Sequence, residues 1–309
     1  SHSPRVGFRK KGSKHILEIK ECPILQTSAA GILPSLKALL GSLSSAKAIG
    51  HIELMTHAEG DAVLVRHIKV LSDNDIKYLI EFAKEHSCVM FLQGGDASTV
   101  KKVWPQSGDE YLSYHLGKGM ENDGFLGEPL QLFYHPKDFT QVNPKVNQKM
   151  LHLALRELDI QPHERVLDLF SGLGNFTLSM AQQAQFAVGV EGSRDMVERG
   201  QMNAQRNGLD NVAFHETNLY ENFDQKAWAQ ETYDKILLDP PRAGALEVVT
   251  AIAGFKAKRI VYISCNPATL ARDAGVLIQH GYRLRQAGVL DMFPHTEHVE
   301  SIAIFDSEK

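Results

Sequence analysis

The carboxyl-terminal part of the chain alternates between short apolar runs and helical segments. From about residue 145 onward, the apolar runs predict strands at 166–170, 187–191, 212–216, 233–238 and 259–264. Helices are predicted between them, as over 194–207. Strands that alternate with helices in this way indicate a parallel, doubly wound sheet. Two strands in succession, 282–290 and 298–305, predict a terminal antiparallel hairpin.

The first 125 residues or so follow a different, mixed pattern. Short apolar runs predict strands at 16–19, 52–55, 62–68 and 89–92, and the turn Gly60-Asp61 predicts a hairpin. Ser72 is a candidate N-cap for an amphipathic helix that carries Ile76 and Leu79. The stretch 104–127 is rich in Gly, Asp, Glu and Ser, which favours a loop or irregular hairpin. We therefore expect a smaller α/β domain over 1–127 and a larger one over 128–309.

The composition is typical of a soluble globular protein, because 43% of the 309 residues are hydrophobic and 23% are charged. No run approaches the roughly 18 uncharged apolar residues that a membrane-spanning helix needs. The first twenty residues lack the apolar segment of a signal peptide. Three cysteines cannot form a disulfide framework, which favours a reducing compartment. We expect a monomeric, cytoplasmic protein with no membrane partner.

The net charge of −4 argues against a surface that is uniformly adapted to nucleic acid. One local exception lies in residues 1–20, where Glu18 is the single acidic residue. Six basic residues share that stretch: Arg5, Arg9, Lys10, Lys11, Lys14 and Lys20. Such a run forms either a solvated strand or tail or a face that contacts phosphates.

A glycine-containing turn follows the first strand of the larger domain, where doubly wound sheets bind their ligands. Gly172 and Gly174 allow the backbone to turn tightly and to approach a ligand. Glu191 ends the second strand, 23 residues after Asp168. This is close to the spacing of about 20 residues at which an acidic residue binds ribose hydroxyls. The third glycine of a dinucleotide motif is replaced, since Asn175 and Phe follow Gly174. A ligand without phosphates, S-adenosylmethionine, therefore fits this turn better than NAD.

Cys265 is a candidate nucleophile at the end of the fifth strand of that sheet. A buried, small apolar residue is the commoner role of a cysteine, and we assign Cys88 to it. Cys265 differs because Asn266-Pro267 ends its strand and turns the thiol toward the ligand cleft. Glu300 lies in the last predicted strand, where it is either a charge at a strand edge or a catalytic acid or base.

The carboxyl-terminal half resembles the RumA/TrmA family of RNA uracil-5-methyltransferases, and it is most similar to the RumA branch that acts on 23S ribosomal RNA. The matching segments are Phe139-Thr-Gln141-Val-Asn143, Asp168-Leu-Phe170-Ser-Gly-Leu-Gly-Asn175-Phe, Val190-Glu191-Gly, Leu238-Asp239-Pro-Pro-Arg-Ala-Gly, Ser264-Cys265-Asn-Pro-Ala-Thr-Leu-Ala-Arg-Asp273 and Leu290-Asp-Met-Phe-Pro-His-Thr-Glu-His-Val-Glu300. The Ser-Cys-Asn-Pro and Phe-Pro-His-Thr blocks are far more specific than the glycine turn.

The resemblance implies a class I S-adenosylmethionine-dependent methyltransferase fold, with Cys265 as the nucleophile and Glu300 as the general base. It also implies a set of residues that contact S-adenosylmethionine: Gln141, Phe170, Asn175, Glu191, Asn218 and Asp239. A thiolate that adds to C6 of uracil makes C5 nucleophilic, and a carboxylate then removes the C5 proton. A free thiol has a pKa near 8.5, so some group must favour the thiolate. The sequence does not identify that group.

The amino-terminal part departs from the family pattern. The segment Lys20-Glu-Cys22-Pro-Ile-Leu resembles the one that carries the fourth ligand of the family's [4Fe–4S] cluster. The family's other three cluster ligands are cysteines in a C-x5-C-x2-C pattern, and this pattern is absent from the chain. The small β-barrel that precedes the pattern in the family is absent as well. One cysteine cannot hold such a cluster. We therefore expect that Cys22 is an orphan ligand and that this chain binds no metal.

The sequence favours methylation of 23S ribosomal RNA at C5 of a uridine, with three alternatives. The first is the same reaction on transfer RNA. The second is an amino-methyltransferase that uses Asp239-Pro-Pro to bind an amino group and needs no thiol. The third is a non-catalytic RNA-binding module that keeps the fold for its shape.

Overall fold

The computed structural model describes residues 4–117, 127–292, 295–296 and 298–308, and it divides the chain into two compact units. The smaller unit contains Ser1–Tyr114 and His135–Asp138, and the larger unit contains His115–Tyr134 and Phe139–Lys309. None of the described helices combines the length and the apolar character that a membrane span requires.

The smaller unit contains a hairpin, a four-stranded sheet and two helices. In chain order these are β1 (Gly7–Arg9), β2 (Ile16–Glu18), α1 (Thr27–Ser42), β3 (Ile49–His57), β4 (Gly60–His67), α2 (Asp73–Glu85), β5 (Cys88–Gln93) and β6 (Lys101–Trp104). The sheet has the order β3-β4-β5-β6. The predicted hairpin is confirmed, but its turn lies at 58–59, and Gly60 and Asp61 already belong to β4. The helix capped by Ser72 is confirmed, since the Ser72 hydroxyl accepts a hydrogen bond from the Asp75 N–H at 3.1 Å.

The helix α1 was not predicted from the sequence, and its start and stop signals are weak. Its N-cap residue, Gln26, makes no side-chain cap hydrogen bond, and Pro34 lies inside it. Its first turn contains no acidic residue, and its last turn contains no basic one. Buried apolar residues, among them Ile32 and Leu36, fix this helix through tertiary packing instead.

The chain passes between the two units along β7 (Leu112–Leu116) and β8 (Leu130–Tyr134), which form a two-stranded sheet. These strands flank residue 127, the expected domain boundary. Within 104–127, which was interpreted as a loop or irregular hairpin, residues 112–116 form β7, which pairs with β8, while 118–126 fall outside the described residues.

The larger unit has the predicted α/β architecture. It contains α3 (Pro144–Leu158), β9 (Arg165–Leu169), α4 (Thr177–Ala181), β10 (Phe186–Glu191), α5 (Arg194–Arg206), β11 (Val212–Glu216), β12 (Lys235–Leu238), α6 (Leu246–Ile252), β13 (Arg259–Ser264), α7 (Pro267–Gln279), β14 (Tyr282–Leu290) and β15 (Glu300–Ser307). The sheet order is β11-β10-β9-β12-β13-β15-β14. The first five strands are parallel, and β15 is antiparallel to both β13 and β14.

The core of this unit surrounds the central strands, which are buried on both faces. Side chains of β9, β12 and β13, such as Leu167, Ile236 and Ile260, have no exposed surface. Burial on both faces explains why these strands are continuous apolar runs. Because β9, β12 and β13 are parallel, their carboxyl ends lie along one edge of the sheet. The amino-terminal end of the antiparallel β15 lies at the same edge, so Glu300 faces the strand ends that carry the other candidate residues.

Candidate active site

The structure brings Cys265 and Glu300 to the same end of two paired strands. Ser264 of β13 is the register partner of Ser301 of β15, so Cys265 and Glu300 are the next residues on each strand. The Ser301 hydroxyl donates a hydrogen bond to the Ser264 carbonyl at 2.9 Å, which closes this end of the ladder. Asp239 follows β12, the other neighbour of β13, at the same edge. The three residues singled out from the sequence therefore converge.

The electrostatics of this cluster favour protonated acids. Burial raises the pKa of the Glu300 carboxyl to about 7, since its side chain is only 4% exposed. Burial, with the neighbouring charges of Glu300 and Asp168, raises the pKa of Asp239 well above its usual range. Burial also raises the pKa of the partly exposed Cys265 thiol, and the negative charges of Glu300 and Asp239 raise it further. The cluster therefore contains two carboxyl groups and a thiol with raised pKa values, and protonation lowers its negative charge near neutral pH.

Arg242 is a functional candidate that the sequence did not single out. It lies in the turn Asp239-Pro-Pro-Arg242, whose motif was recognised without a role for the arginine. Its guanidinium lowers the pKa of the Cys265 thiol and so opposes the effect of the carboxylates. Within the described residues, Arg242 takes part in no side-chain ion pair, which leaves its charge available to the thiol. Arg242 is thus the candidate for the group that favours the thiolate.

The glycine turn after β9 is shaped by backbone conformation and by Glu191. Phe170, Gly172 and Gly174 have positive φ angles of 66°, 54° and 99°. The Glu191 carboxylate accepts hydrogen bonds from the N–H groups of Gly172 at 3.1 Å and Ser193 at 2.9 Å. Glu191 therefore holds the turn after β9 against the end of β10, and each of its oxygens keeps a further lone pair for a ligand.

Two buried polar atoms at this turn have no hydrogen-bond partner among the described residues: Asp168 Oδ1 and Ser171 Oγ. The other Asp168 oxygen accepts the Thr177 hydroxyl at 2.5 Å, and burial raises the pKa of Asp168 to about 7. Unsatisfied buried groups are rare in proteins and call for a ligand or water. These acceptors suit a cationic ligand with hydroxyl and ammonium donors, and they disfavour a pyrophosphate. S-adenosylmethionine, which carries a sulfonium and no phosphate, fits this set.

The remaining predicted cofactor residues lie around the same turn. The Asn175 amide forms two hydrogen bonds with the Asn147 amide, at 3.0 and 3.1 Å. Asn147 is a buried residue of α3 that the sequence analysis missed, although Asn143 and Pro144 are standard signals for the start of this helix. The half-buried Gln141 lies in the segment that leads into the same helix. The Asn175 orientation is therefore set by α3.

Asn218 lies in the turn after β11. Its side chain accepts the Tyr220 N–H at 3.1 Å and donates to Glu221 at 2.7 Å. The Tyr220 ring in turn lies 5.9 Å from the ring of Phe170, measured between centroids. Asn218 and Phe170 are thereby connected through Tyr220. In the last segment of the family resemblance, residues 293–294 and 297 lie outside the described residues.

The other two cysteines are buried in the hydrophobic cluster of the smaller unit. Burial raises the pKa of Cys88 to about 11, which confirms its assignment to the core. Cys22 packs in the same hydrophobic cluster. Its interpretation as an orphan ligand of an iron–sulfur cluster stays a prediction. No three His, Cys, Asp or Glu side chains within the described ranges form a group that could hold a metal ion.

The matching family model and the curated relatives are both uracil-C5-methyltransferases. The model of the tRNA (uracil-5-)-methyltransferase family matches residues 129–307. The chain is 48% identical over 305 residues to the 23S rRNA (uracil(1939)-C(5))-methyltransferase RlmD of Alcanivorax borkumensis, covering 98% of this chain. It is 49% identical to the protein of the same name from Hahella chejuensis, covering 97% of this chain. The chain spans 66% of the length of each of these relatives.

Solved structures extend the likeness to three dimensions. The tRNA (uracil-54, C5)-methyltransferase of Pyrococcus abyssi, in complex with S-adenosyl-L-homocysteine, matches with a TM-score of 0.74 at 25% identity. That match covers 97% of this chain and 71% of the other. M. jannaschii TYW2, in complex with AdoMet, shares the fold with a TM-score of 0.51 at 12% identity, covering 82% of this chain and all of the other.

Proposed function

Since this chain belongs to the tRNA (uracil-5-)-methyltransferase family, we propose that it transfers a methyl group from S-adenosylmethionine to C5 of a uridine in 23S ribosomal RNA. The larger unit has the class I methyltransferase fold. The observation that carries the proposal is the convergence of Cys265 and Glu300 at the end of β13 and β15, beside Asp239 and the glycine turn. An amino-methyltransferase would not need the thiol or the facing acid.

The residues of this cluster perform the chemistry in a fixed order. The Cys265 thiol loses its proton to solvent, and the thiolate forms a bond to C6 of the uracil, which places negative charge on C5 and O4. S-adenosylmethionine would supply the electrophilic methyl group that C5 takes up, and it would leave as S-adenosylhomocysteine, whose sulfur keeps the electrons of the broken S–CH3 bond. Glu300 then removes the proton from C5, and the pair of electrons from that C–H bond restores the C5–C6 double bond as the thiolate leaves. Cys265 is regenerated, and Glu300 carries one proton to return to solvent.

The pKa values of the cluster suit this sequence of steps. A general base is most effective when its pKa lies near the working pH, and burial brings the pKa of Glu300 to about 7. The Arg242 guanidinium stabilises the Cys265 thiolate. Protonation of Asp239, whose pKa is raised well above its usual range, removes one of the charges that oppose the thiolate. A target base that is stacked inside folded RNA must leave its stack to reach this thiol.

The cofactor is held by acceptors and amides around the glycine turn. We assign Glu191 to the ribose hydroxyls, and Gln141, Phe170, Asn175, Asn218 and Asp239 to the rest of the cofactor. The unpartnered oxygens of Asp168 and Ser171 support a polar ligand at this place. The carboxylates complement the positive charge of S-adenosylmethionine.

Ribosomal RNA is favoured over transfer RNA as the substrate. The relatives named for 23S ribosomal RNA are 48–49% identical to this chain, whereas the structural relative named for transfer RNA is 25% identical. In the smaller unit, the six basic residues of 1–20 are all exposed, and we propose that they contact RNA phosphates. We further propose that the protein works as a monomer in the cytoplasm.

Methylation in vitro tests the substrate. The full-length protein is incubated with labelled S-adenosylmethionine and with either a 23S ribosomal RNA transcript or transfer RNA. We expect turnover on the ribosomal transcript, and efficient turnover on transfer RNA alone would overturn the assignment.

A covalent trap tests the chemistry. In RNA with 5-fluorouridine at the target position, C5 of the methylated adduct carries fluorine in place of the proton that Glu300 removes, and fluorine cannot leave as a cation. The Cys265 adduct should therefore accumulate when S-adenosylmethionine is present. The adduct should disappear in Cys265→Ala and persist in the matched variant Cys88→Ala, which removes a thiol from the smaller unit. Absence of any adduct with the wild-type protein would favour a non-catalytic RNA-binding role.

A further inference from the structure

The loop that follows β12 is held by side chains from α7, including its N-cap residue, and from the turn after β11. We call residues 239–245 the Arg242 loop. Three consecutive carbonyls of this loop each accept a side-chain hydrogen bond. Arg242 O accepts Asn266 Nδ2 at 3.0 Å, Ala243 O accepts Arg272 Nη2 at 3.1 Å, and Gly244 O accepts the Tyr220 hydroxyl at 3.3 Å. The loop backbone is therefore fixed from outside.

Asp273 of α7 is the centre of this arrangement. It has no exposed surface, yet both of its carboxylate oxygens are satisfied. Its Oδ2 accepts the Ala245 N–H at 2.7 Å and the Tyr262 hydroxyl at 2.7 Å, while its Oδ1 accepts Nε and Nη2 of Arg272, both at 2.7 Å. A buried carboxylate is tolerated only with partners of this kind. Asp273 thus ties the end of the loop to β13 and α7.

The contact between the loop and this ion pair is close enough to require a glycine. Gly244 has φ of 80°, and a Cβ at that position would lie 2.6 Å from Arg272 Nη2 and 2.8 Å from Asp273 Oδ2. The loop backbone therefore lies directly on the Arg272–Asp273 pair, in a conformation that favours glycine.

The same helix is joined to the nucleophile. Helix α7 begins at Pro267, two residues after Cys265, and Asn266 is its N-cap. Its first residues fix the position of Cys265, and Arg272 and Asp273, in its second turn, fix the loop that carries Arg242. The charged groups that act on the thiol are Glu300 of β15 and Asp239 and Arg242 of the loop.

We propose that Arg272 and Asp273 are positioning residues, which hold the Arg242 loop on α7. There the Arg242 carbonyl lies 3.0 Å from Nδ2 of Asn266, the residue that follows Cys265, so the held loop keeps Arg242 near the thiol. Arg272 and Asp273 contact neither substrate nor cofactor, and they act through Arg242. The proposal rests on the proposed function, because that function gives the Cys265 thiolate its role. The contacts that hold the Arg242 loop do not depend on which RNA is methylated.

Alkylation of Cys265 tests this positioning role without relying on methyl transfer. Iodoacetamide reacts with thiolates, so the alkylation rate of the Cys265 peptide, followed by mass spectrometry against pH, reports the fraction of thiolate. The variants are Arg272→Gln, which keeps a neutral amide in place of the guanidinium, Asp273→Asn and Arg242→Gln. The Arg272 side chain is 44% exposed, so its replacement leaves the core intact. Arg194→Gln, in an exposed ion pair of α5, is the matched control.

We expect the alkylation profiles of Arg272→Gln, Asp273→Asn and Arg242→Gln all to move to higher pH, while Arg194→Gln keeps the wild-type profile. Because Arg272 acts through Arg242, the double variant R242Q/R272Q should be displaced no further than R242Q alone. Arg272→Lys keeps the positive charge and one donor nitrogen, so its alkylation profile should lie between those of the wild-type protein and Arg272→Gln. In methylation, kcat should fall at least about tenfold with little change in KM for S-adenosylmethionine.

An unchanged alkylation profile in Arg272→Gln would overturn the proposal, whatever the variant does to thermal stability. Additive displacements in R242Q/R272Q would also overturn it, since they would show that the two arginines act separately. If the wild-type protein methylates no RNA while the profiles move as expected, the positioning role stands and the proposed function fails.

Discussion

Replacement of Glu300 by glutamine should make the protein more stable at alkaline pH and inactive as a methyltransferase. The Glu300 side chain is 4% exposed, and burial raises its pKa from 4.5 to about 7. The raised pKa means that the folded protein binds a proton which the unfolded chain releases above about pH 4.5. The contribution of Glu300 to the free energy of unfolding is therefore fully present below pH 4.5 and is lost as the pH rises through about 7.

The size of the effect follows from the shift in pKa. Each pKa unit corresponds to about 1.4 kcal/mol, so the ionisation of Glu300 costs up to about 3 kcal/mol of folding free energy above pH 7. Glutamine has nearly the same shape and does not ionise, so the Glu300→Gln variant avoids this cost. For a unit of this size, the difference in Tm should reach about 6–12 °C at pH 8 and vanish near pH 4.5.

Thermal unfolding of both proteins by calorimetry between pH 4.5 and 8.5 measures this difference. Asp168 titrates in both proteins, so its contribution largely cancels. The variant lacks the Glu300 charge that raises the pKa of Asp239, and this loss of repulsion stabilises the variant at high pH in the same direction. Glu198→Gln, which changes an exposed glutamate of α5, is the control and should show no such pH dependence. A Tm difference between wild type and Glu300→Gln that is the same at every pH would refute the reasoning. The same pKa predicts that kcat of the wild-type protein rises with pH through about 7, because Glu300 must be ionised to accept the C5 proton.

Three further variants test other parts of the site. Cys265→Ala should abolish turnover and leave the Kd for S-adenosylmethionine, measured by calorimetry, within about twofold of wild type; retained turnover would favour an amino-methyltransferase. Asn147→Ala should raise that Kd about tenfold, because the amide of Asn175 loses two hydrogen bonds that orient it; an unchanged Kd would remove Asn175 from the cofactor site. Gly174→Ala should lower the free energy of unfolding by about 1–3 kcal/mol, because φ is 99° and its Cβ would meet two side chains at 3.1 Å. In urea titrations the loss should be smaller for Gly172→Ala, whose Cβ would meet one side-chain atom at 3.7 Å.

The sheet of the larger unit could be predicted because its strands and helices are encoded locally. Strands that are buried on both faces must be continuous apolar runs, and the turns between them contain Gly, Pro and Asp. The helix α1 could not be predicted in this way, since its ends lack caps and Pro34 interrupts its pattern. The helix α3 had recognisable start signals in Asn143 and Pro144, so it was missed although the sequence contained the information.

The sequence by itself determined which residues end the strands, and therefore which side chains are available at the ligand-binding edge of the sheet. It placed Cys265 after β13 and the Asp-Pro-Pro-Arg turn after β12, since both positions depend only on local pattern. The tertiary structure alone decided that β15 enters the sheet between β13 and β14, which brings Glu300 opposite Cys265. Strand order joins residues far apart in the chain, and burial and charge at that junction set the pKa values of the thiol and the acid. That is why the role of Arg242 emerged only from the fold.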